Sequence, residues 1–359
     1  MNDQVKRPRL RFSGARRILV LGTALMLIIA ACGDDSGDPA DTTEATDSAD
    51  TTVGEGDSGE LQQVSMRFNI HAYAPHAPFV YAAQQGFYEE VGLEVTFGEG
   101  TGSDTTAALV AEGGDTFGTA DFPGLSGMVA LGAPVKAVGM IEQQSPLAIS
   151  SLASTPIETP DDLIGKRIVM GAGDEAIFEA FLNVNGIELS DVETVTMSDA
   201  AQPAALAEGA VDGIAGWVTS QGIEIIETPG GIYNLLWADF GFPMLNLGLV
   251  ANADMIEEDP DTVCRFVEAS FRGWEAAEQD PEGAVNALIE LYPNTDFDIT
   301  MTGLEAQFEL MRSPSTEGLP LGEINPEDAE ESMDLLVQTG AAEEVIPVDD
   351  LISNVCVEG

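Results

Sequence analysis

A chain of 359 residues is longer than one typical domain and predicts two. An apolar content of 44% is enough for a packed core and excludes a chain that is disordered throughout. The formal net charge of −49 argues against nucleic-acid binding, because so acidic a surface repels phosphates. We interpret the acidity as an adaptation to salty surroundings, where a carboxylate-rich surface stays hydrated.

The first 31 residues have the order of an export signal. A basic stretch, KRPRLRFSGARR, precedes an apolar run, ILVLGTALMLIIA, that is too short for a comfortable membrane span. Small residues then lead to Cys32 in a pattern that resembles a lipobox. The resemblance implies cleavage before Cys32 and attachment of a lipid there, which would anchor the protein to the cell membrane. An ordinary signal peptide with an incidental cysteine is the alternative, and the export route stays open.

Residues 32–61 have the composition of a tether. After Cys32, the stretch GDDSGDPADTTEATDSADTTVGEGDSGE contains many acids, no cation and one large aliphatic residue, Val53. Such a segment cannot bury a core and its charges repel one another. We therefore expect a solvated, disordered connection between the lipid and the folded body.

From residue 62 the chain alternates strand and helix patterns. VSMRFNI, LEVTF, DTFGTAD and VKAVGMIE show the alternation or the short apolar run of strands. A helix begins near Pro78 and ends at Gly86. A second begins at Ser103 or Asp104, and FPGLSGMVAL predicts a third.

A second β–α set follows a crossing segment, STPIETPDDLIGK. Its strands are RIVMG, VETVTM, VDGIAGW and GIYNLLWA, and its helices are DEAIFEAFLNVNG and AAQPAALAEGA. MLNLGLVAN returns as a strand, and four helical segments complete the chain. Repeated β–α units predict an α/β fold with largely parallel sheets. We expect lobe 1 to comprise residues 62–153 and 244–359 and lobe 2 residues 154–243, with a ligand cleft between them.

Several segments in this order resemble one known family. HAPFVYAAQQGFYEEVGLEV and GEGTGSDTTAALVAEGGDTFGTAD are similar to the opening of the NMT1/THI5-like and SsuA-like solute-binding proteins. DDLIGKRI, ALAEGAVDGIAGW and RFVEASFRGWEAAEQDPEGAVNAL continue the pattern. The resemblance implies a periplasmic-binding-protein type II fold, with two lobes joined by two crossing segments. It also implies a monomeric extracytoplasmic receptor, without a cofactor, that serves the permease and ATPase of an ABC importer.

The ligands of this family include thiamine-pyrimidine precursors, riboflavin, sulfonates, taurine and nitrate, and the residues favour a flat ring. The helices expected at the cleft begin with acids, which compete with an anion for the helix dipole. None of the seven cations beyond the signal lies in a predicted cleft loop. Backbone amides around Gly102 and Ser103 leave a small anion possible. We therefore favour an aminopyrimidine, with riboflavin or a sulfonate, taurine or nitrate as alternatives.

Ten residues are candidate ligand contacts. Trp217 ends a predicted strand, where its side chain would face the cleft, and Glu175 could accept hydrogen bonds from an aminopyrimidine. His76, before the helix of Pro78, is the expected polar contact and a neutral imidazole, and the alternative is a histidine that caps its own loop. The complete set is His76, Phe79, Tyr81, Gly102, Ser103, Asp121, Phe122, Glu175, Trp217 and Phe240.

Four residues near the expected cleft have a structural interpretation beside or instead of ligand contact. Phe79 could belong to the core instead of the cleft, since aromatic residues on helices usually do. His71 lies in a predicted strand, and we expect it to be structural. Asp104 and Asp174 are more simply helix caps than ligand contacts.

Catalysis is disfavoured by what the chain lacks. Cytosolic relatives that make the thiamine pyrimidine need a Schiff-base lysine and a cysteine-rich motif. The chain beyond the signal has only Lys136 and Lys166, and no cysteine cluster, GxSxG or metal-spaced motif. The remaining cysteines, Cys264 and Cys356, form an even pair in an exported chain and predict a disulfide, with two buried thiols as the alternative.

Overall fold

The computed structural model describes residues 61–219 and 231–356. The predicted signal peptide (1–31), the lipidation site Cys32 and all but the last residue of the predicted tether (32–61) lie outside these ranges. Among the described residues, no helix is long and apolar enough to cross a membrane.

The first of two sheets has five strands in the order β2-β1-β3-β10-β4. β2, β1 and β3 are parallel, and β10 lies antiparallel between β3 and β4. β3 and β4 are buried along nearly their whole length, which explains their apolar sequences. The strands are β1 (Gln62–Arg67), β2 (Leu93–Gly98), β3 (Phe117–Asp121), β4 (Val135–Met140) and β10 (Leu247–Asn252).

Four helices connect the strands of this sheet. Gly86, with a φ of 78°, follows the end of α1 in the left-handed region that favours glycine. The side chain of Asp121 accepts a hydrogen bond from the amide of Gly124 and so caps α4. The helices are α1 (Ala77–Gln84), α2 (Phe87–Glu90), α3 (Ser103–Ala111) and α4 (Phe122–Ala130).

The second sheet also has five strands, in the order β7-β6-β8-β5-β9. β7, β6 and β8 are parallel, whereas β5 pairs antiparallel with both β8 and β9. The strands are β5 (Leu147–Leu152), β6 (Arg167–Met170), β7 (Glu193–Thr196), β8 (Gly213–Trp217) and β9 (Ile232–Leu236), and the connecting helices are α5 (Glu175–Val184) and α6 (Gln202–Ala207). The predicted α/β fold with two lobes is confirmed.

The position of the first crossing differs from the expected boundary at 153/154. β5 hydrogen-bonds only to strands of the second sheet, so the chain leaves the first sheet between residues 141 and 146. It returns between residues 237 and 246. β5 is a short, buried segment that follows β4 closely, and its local sequence pattern does not show which sheet it joins.

Six further helices follow β10. Phe266 of the longest one, α8, stacks on Phe117 of β3 with ring centroids 3.8 Å apart. Aspartates 259, 280 and 296 cap three of these helices through hydrogen bonds to backbone amides. The helices are α7 (Ala253–Glu258), α8 (Pro260–Gln279), α9 (Pro281–Leu291), α10 (Phe297–Leu310), α11 (Pro326–Gln338) and α12 (Val348–Leu351).

Apolar packing is continuous across the two lobes. One buried cluster joins α3 and α4 to β5, α5 and α11. Within it, the rings of Phe181 and Trp237 stack with centroids 4.7 Å apart. A second cluster holds β1, α1, α8 and α9 together beneath the first sheet.

A disulfide joins Cys264 of α8 to Cys356 at the end of the described chain. The bridge spans a sequence separation of 92 residues and so restricts a long loop in the unfolded chain.

We expect Cys356→Ser to lower the free energy of unfolding by about 2–4 kcal/mol, because the loop is no longer closed in the unfolded state. Denaturant titration followed by circular dichroism measures the change, and wild-type protein treated with reductant should match the variant. Alkylation of both thiols in the unreduced protein, seen by intact mass, would contradict the bridge.

Candidate functional site

The carboxyl ends of strands from both sheets open onto one cleft with a volume of about 890 Å³. Asp121 ends β3 on one side, and Trp217 ends β8 on the other. The lining residues are Asn69, Ile70, His71, Ala72, Tyr73, Ala74, Glu99, Gly102, Ser103, Asp121, Glu142, Asp199, Trp217, Thr219, Asn246, Leu247, Leu291, Tyr292, Pro293, Asn294, Thr295, Asp296, Ile299 and Thr300.

The loop between β1 and α1 supplies one wall. Glycine is required at position 100 beneath this loop, because a Cβ there would lie 2.0 Å from the carbonyl oxygen of Phe68. Glu99 accepts a hydrogen bond from the amide of Ala72 at 2.7 Å, and this holds the loop to the end of β2. Tyr73 thereby lines the cleft.

His76 lies behind that wall and does not line the cleft. Its ring stacks on Phe68 with centroids 4.0 Å apart and meets the edge of Tyr73 at 4.6 Å. Nε2 donates to Oδ1 of Asn69 at 3.0 Å, and Nδ1 accepts from the amide of Tyr73 at 3.4 Å. Burial, together with the charge of His71, holds the pKa of His76 well below its usual range. The imidazole is therefore neutral, as the sequence indicated, and it supports Tyr73 and Asn69 from behind.

His71 occupies the position that the sequence interpretation gave to His76. It is exposed and lines the cleft, with its ring 6.4 Å from that of Tyr73. The difference arises because β1 ends at Arg67, so His71 lies in the loop beyond the strand instead of within it.

Gly102, Ser103 and Asp121 come together at one corner of the cleft. The hydroxyl of Ser103 donates to Oδ2 of Asp121 and accepts from the amide of Asp121. Because Oδ1 of Asp121 caps α4, both oxygens of this carboxylate are engaged. A carboxylate beside the first turn of α3 leaves this corner unfavourable for an anionic ligand.

The other five candidate contacts lie outside the cleft lining. Phe79 packs edge-on against Trp274 in the core, which is the alternative that the sequence left open. Tyr81 is buried and its hydroxyl donates to Asp280 at 2.9 Å. Phe122 and Phe240 pack into the apolar cluster that joins the lobes, and Glu175 is exposed at the start of α5.

Glu142 is a buried carboxyl group in the cleft lining, with 1% of its surface exposed. Its Oε2 accepts hydrogen bonds from Nδ2 of Asn246 and, at 3.2 Å, from the amide of Leu247. Burial raises the pKa of Glu142 to about 7, an effect that the hydrogen bonds from Asn246 and Leu247 oppose and the charge of Asp121 adds to. The carboxyl therefore changes charge near neutral pH.

The electrostatic character of the cleft is acidic. Glu99, Asp121, Glu142, Asp199 and Asp296 line it, and no lysine or arginine is among the described lining residues. Arg67 lies two residues before the first lining residue, and its guanidinium group donates to Asp115 and to the carbonyl of Glu99. In the part of the chain that the structure describes, no group of three or more acids, histidines or cysteines could hold a metal ion.

The lining residues that the sequence did not indicate include Tyr73, Glu142, Asn246 and Tyr292. Glu142 follows the buried strand β4, and Asn246 precedes the buried strand β10. A polar residue at the end of an apolar run was the available signal for both, since strand ends form the cleft. Tyr73 and Tyr292 lie in loops, where the pattern of the sequence gives no direction to a side chain.

We expect Glu142→Gln to make the fold more stable above pH 7. In the wild type, the folded state keeps its proton between about pH 4.5 and 7 while the unfolded state loses it, so this group's contribution to stability falls as pH rises through that window. The amide has no charge to bury and gains up to about 3 kcal/mol at pH 8 relative to the wild type. Thermal and denaturant unfolding of both proteins from pH 4 to 8.5 measures the difference, and a constant difference across this range would contradict the titration.

Comparison with known proteins places this architecture in a family. The NMT1/THI5-like family model matches residues 74–284, which is more than half of the chain. The riboflavin-binding protein RibY of Chloroflexus aurantiacus is 28% identical over 85% of this chain and 84% of its own length. The formylaminopyrimidine-binding protein of Halalkalibacterium halodurans is 22% identical over 83% of this chain and 92% of its own.

A solved structure has the same fold. The periplasmic aliphatic sulphonate-binding protein SsuA of Escherichia coli superposes with a TM-score of 0.59 at 15% identity, over 82% of this chain and 92% of that one. This similarity shows the two-lobe periplasmic-binding-protein fold. The chain therefore belongs to the NMT1/THI5-like family of solute-binding proteins.

Proposed function

We propose that the protein is an extracytoplasmic receptor of an ABC importer that captures an uncharged nitrogen heteroaromatic solute, with riboflavin as the first candidate. One observation carries this proposal: the cleft combines aromatic side chains from both lobes with acids, and its described lining contains neither lysine nor arginine.

The aromatic residues suit a flat ring. Tyr73 and Tyr292 line the cleft from lobe 1, and Trp217 lines it from lobe 2. A ring held between the lobes would gain about 0.5–1.5 kcal/mol for each stacking pair beyond its area burial. Contacts to both lobes would also favour a closed state through a hinge motion of the crossing segments.

The charges disfavour a sulfonate, taurine or nitrate. A buried anion needs cations or unengaged backbone amides, and here the first turn of α3 faces the carboxylate of Asp121. Acidic side chains can instead accept hydrogen bonds from hydroxyl and N–H groups. Riboflavin offers both, from its sugar-like chain and from its ring.

The shape of the cleft favours riboflavin over a single-ring aminopyrimidine, which reverses the order expected from the sequence. A volume of about 890 Å³ lies near the upper end of the range of about 300–1,000 Å³ for small-molecule sites. The lining is polar at Glu142 and Asn246 and apolar at Leu291 and Ile299, whose exposed fractions are 47% and 49%. A fused-ring ligand with one hydrogen-bonding end and one hydrocarbon end matches this division.

An aminopyrimidine is the second candidate. The similarity to the formylaminopyrimidine-binding protein favours it, as does Glu142, whose carboxyl group could pair with a ring nitrogen and an exocyclic amine. The similarity to the riboflavin-binding protein is greater, at 28% against 22% identity.

Binding without catalysis is the simpler role for this cleft. Lys136 donates to the carbonyl of Asp349, and neither it nor Lys166 is among the residues that line the cleft. A Schiff base with a pyridoxal-type cofactor would therefore need a lysine from elsewhere. The lipid anchor at Cys32, the partner permease and ATPase and the monomeric state complete the proposal, and they follow from the sequence and the family.

A thermal-shift screen tests the ligand class. We expect riboflavin to raise the melting temperature most, since a ligand at 100 times its Kd stabilises by about 2.7 kcal/mol. The panel includes a formylaminopyrimidine, taurine, an alkanesulfonate and nitrate. A shift by a sulfonate together with none by any ring compound would overturn the proposal, and a shift by the aminopyrimidine alone would select the second candidate.

Replacement of Trp217 tests whether the ligand stacks on this side chain. We expect Trp217→Ala to weaken riboflavin binding at least about tenfold, because stacking and area burial are lost together. Quenching of riboflavin fluorescence measures the affinity. Tyr233→Ala removes an aromatic residue of the same lobe that does not line the cleft, and it should bind like the wild type. Equal affinity of the Trp217 variant and the control would remove this residue from the site.

A further inference from the structure

Glu142 connects the two crossing segments, because it lies on one of them and hydrogen-bonds to the other. It lies on the outgoing segment, two residues after the end of β4. Asn246 lies on the return segment, immediately before β10, and its Nδ2 donates to Oε2 of Glu142. The amide of Leu247 donates to the same oxygen, and the amide of Asn246 donates to the carbonyl of Glu142 at 3.1 Å.

These contacts decide which oxygen can carry a proton. Oε2 accepts two N–H donors and is therefore occupied as an acceptor. When the carboxyl group is neutral, the proton resides on Oε1. Oε1 is then a hydrogen-bond donor in the lining of the cleft.

The surroundings favour this neutral form. The groups that face Glu142 are Tyr73 from the loop before α1, Asp121 from the end of β3, Asn246 from the return segment and Gln307 from α10. None of them is a cation, and Asp121 adds a like charge. A buried carboxylate without a cation is costly, so its place in a cleft lining needs a functional reason.

We propose that Glu142 is a specificity-determining residue that recognises the ligand as the protonated acid, donating a hydrogen bond from Oε1 to a carbonyl oxygen or an unprotonated ring nitrogen. The proposal rests on the proposed function, because it assumes an uncharged heteroaromatic ligand. The two N–H donors on Oε2 fix the orientation of the acid, so the donor is pre-positioned by the same segments that would bend during closure.

This recognition makes affinity depend on pH. A ligand that covers Glu142 removes its remaining contact with water and accepts its proton in a hydrogen bond, so the complex holds the proton more tightly than the free protein. Binding then takes up a proton, and affinity falls as pH rises through neutrality, where burial has already brought the pKa of Glu142 to about 7. A cationic ligand would act in the opposite direction, because it would stabilise the carboxylate.

The test measures riboflavin affinity by fluorescence quenching from pH 5.5 to 8.5 at constant ionic strength. We expect the affinity of the wild type for riboflavin to be at least about fivefold lower at pH 8.5 than at pH 6. In Glu142→Gln the amide oxygen accepts the two N–H donors and the amide nitrogen donates to the ligand, as the protonated acid does. The variant should therefore bind like the wild type at pH 6, keep that affinity at pH 8.5, and exceed the wild type there.

Two control variants separate Glu142 from other cleft groups. Asp199→Asn changes another carboxylate of the lining, one that is exposed, and should alter affinity by the same factor at every pH. His71→Gln removes the imidazole that lines the cleft, and it should retain the pH dependence of the wild type. Transfer of the pH dependence to either control would overturn the assignment to Glu142.

A measurement on the wild type keeps the proposal testable if Glu142→Gln does not fold. Calorimetry of riboflavin binding at pH 7 in two buffers with different ionisation enthalpies reports the protons exchanged, and we expect net uptake. Proton release, no exchange, or affinity that is constant or rises with pH would overturn this inference while leaving riboflavin binding intact. Failure of every ring compound to bind at any pH would overturn the proposed function, and the inference with it.

Discussion

The insertion of β10 between β3 and β4 is the constraint on which the rest of the structure depends. β10 runs antiparallel to both neighbours, so its first residues lie beside the last residues of β3 and β4. The chain that leaves after β4 must therefore return at the same edge of the sheet. Both crossing segments, and the carboxyl end of β3, meet there and form the floor of the cleft.

That arrangement brings polar groups into a buried position. Glu142 lies two residues after the end of β4, and Asn246 lies one residue before the start of β10. The two crossing segments bring these side chains into hydrogen-bonding contact. The bond joins the outgoing chain to the returning chain across a sequence separation of 104 residues. The bond therefore links the two crossing segments and is also part of the cleft lining.

The order of strands and helices could be predicted from the sequence because each element has its own periodicity and caps. Gly86 ends a helix, Asp121 begins one, and the strands on either side are short apolar runs. β5 was the exception. It belongs to the second sheet only through its hydrogen bonds to β8 and β9, which are distant in sequence. Sheet membership is a property of partners, and a local pattern does not contain it.

The candidate site shows the same division at the level of side chains. Gly102, Ser103, Asp121 and Trp217 follow or end strands, and the edge of a parallel sheet brings such positions together whatever the details of packing. The directions of His76, Phe79 and Tyr81 depend instead on what packs against α1, and there α8 and α9 cover its faces. The family, the two lobes, the alternation of their elements and the acidity of the chain could be predicted from the amino-acid sequence alone, since these depend on local pattern and composition. That His71 faces the cleft while His76 lies behind it, and that Glu142 meets Asn246, became evident from the three-dimensional fold, because contacts between distant segments determine which side of each element is buried.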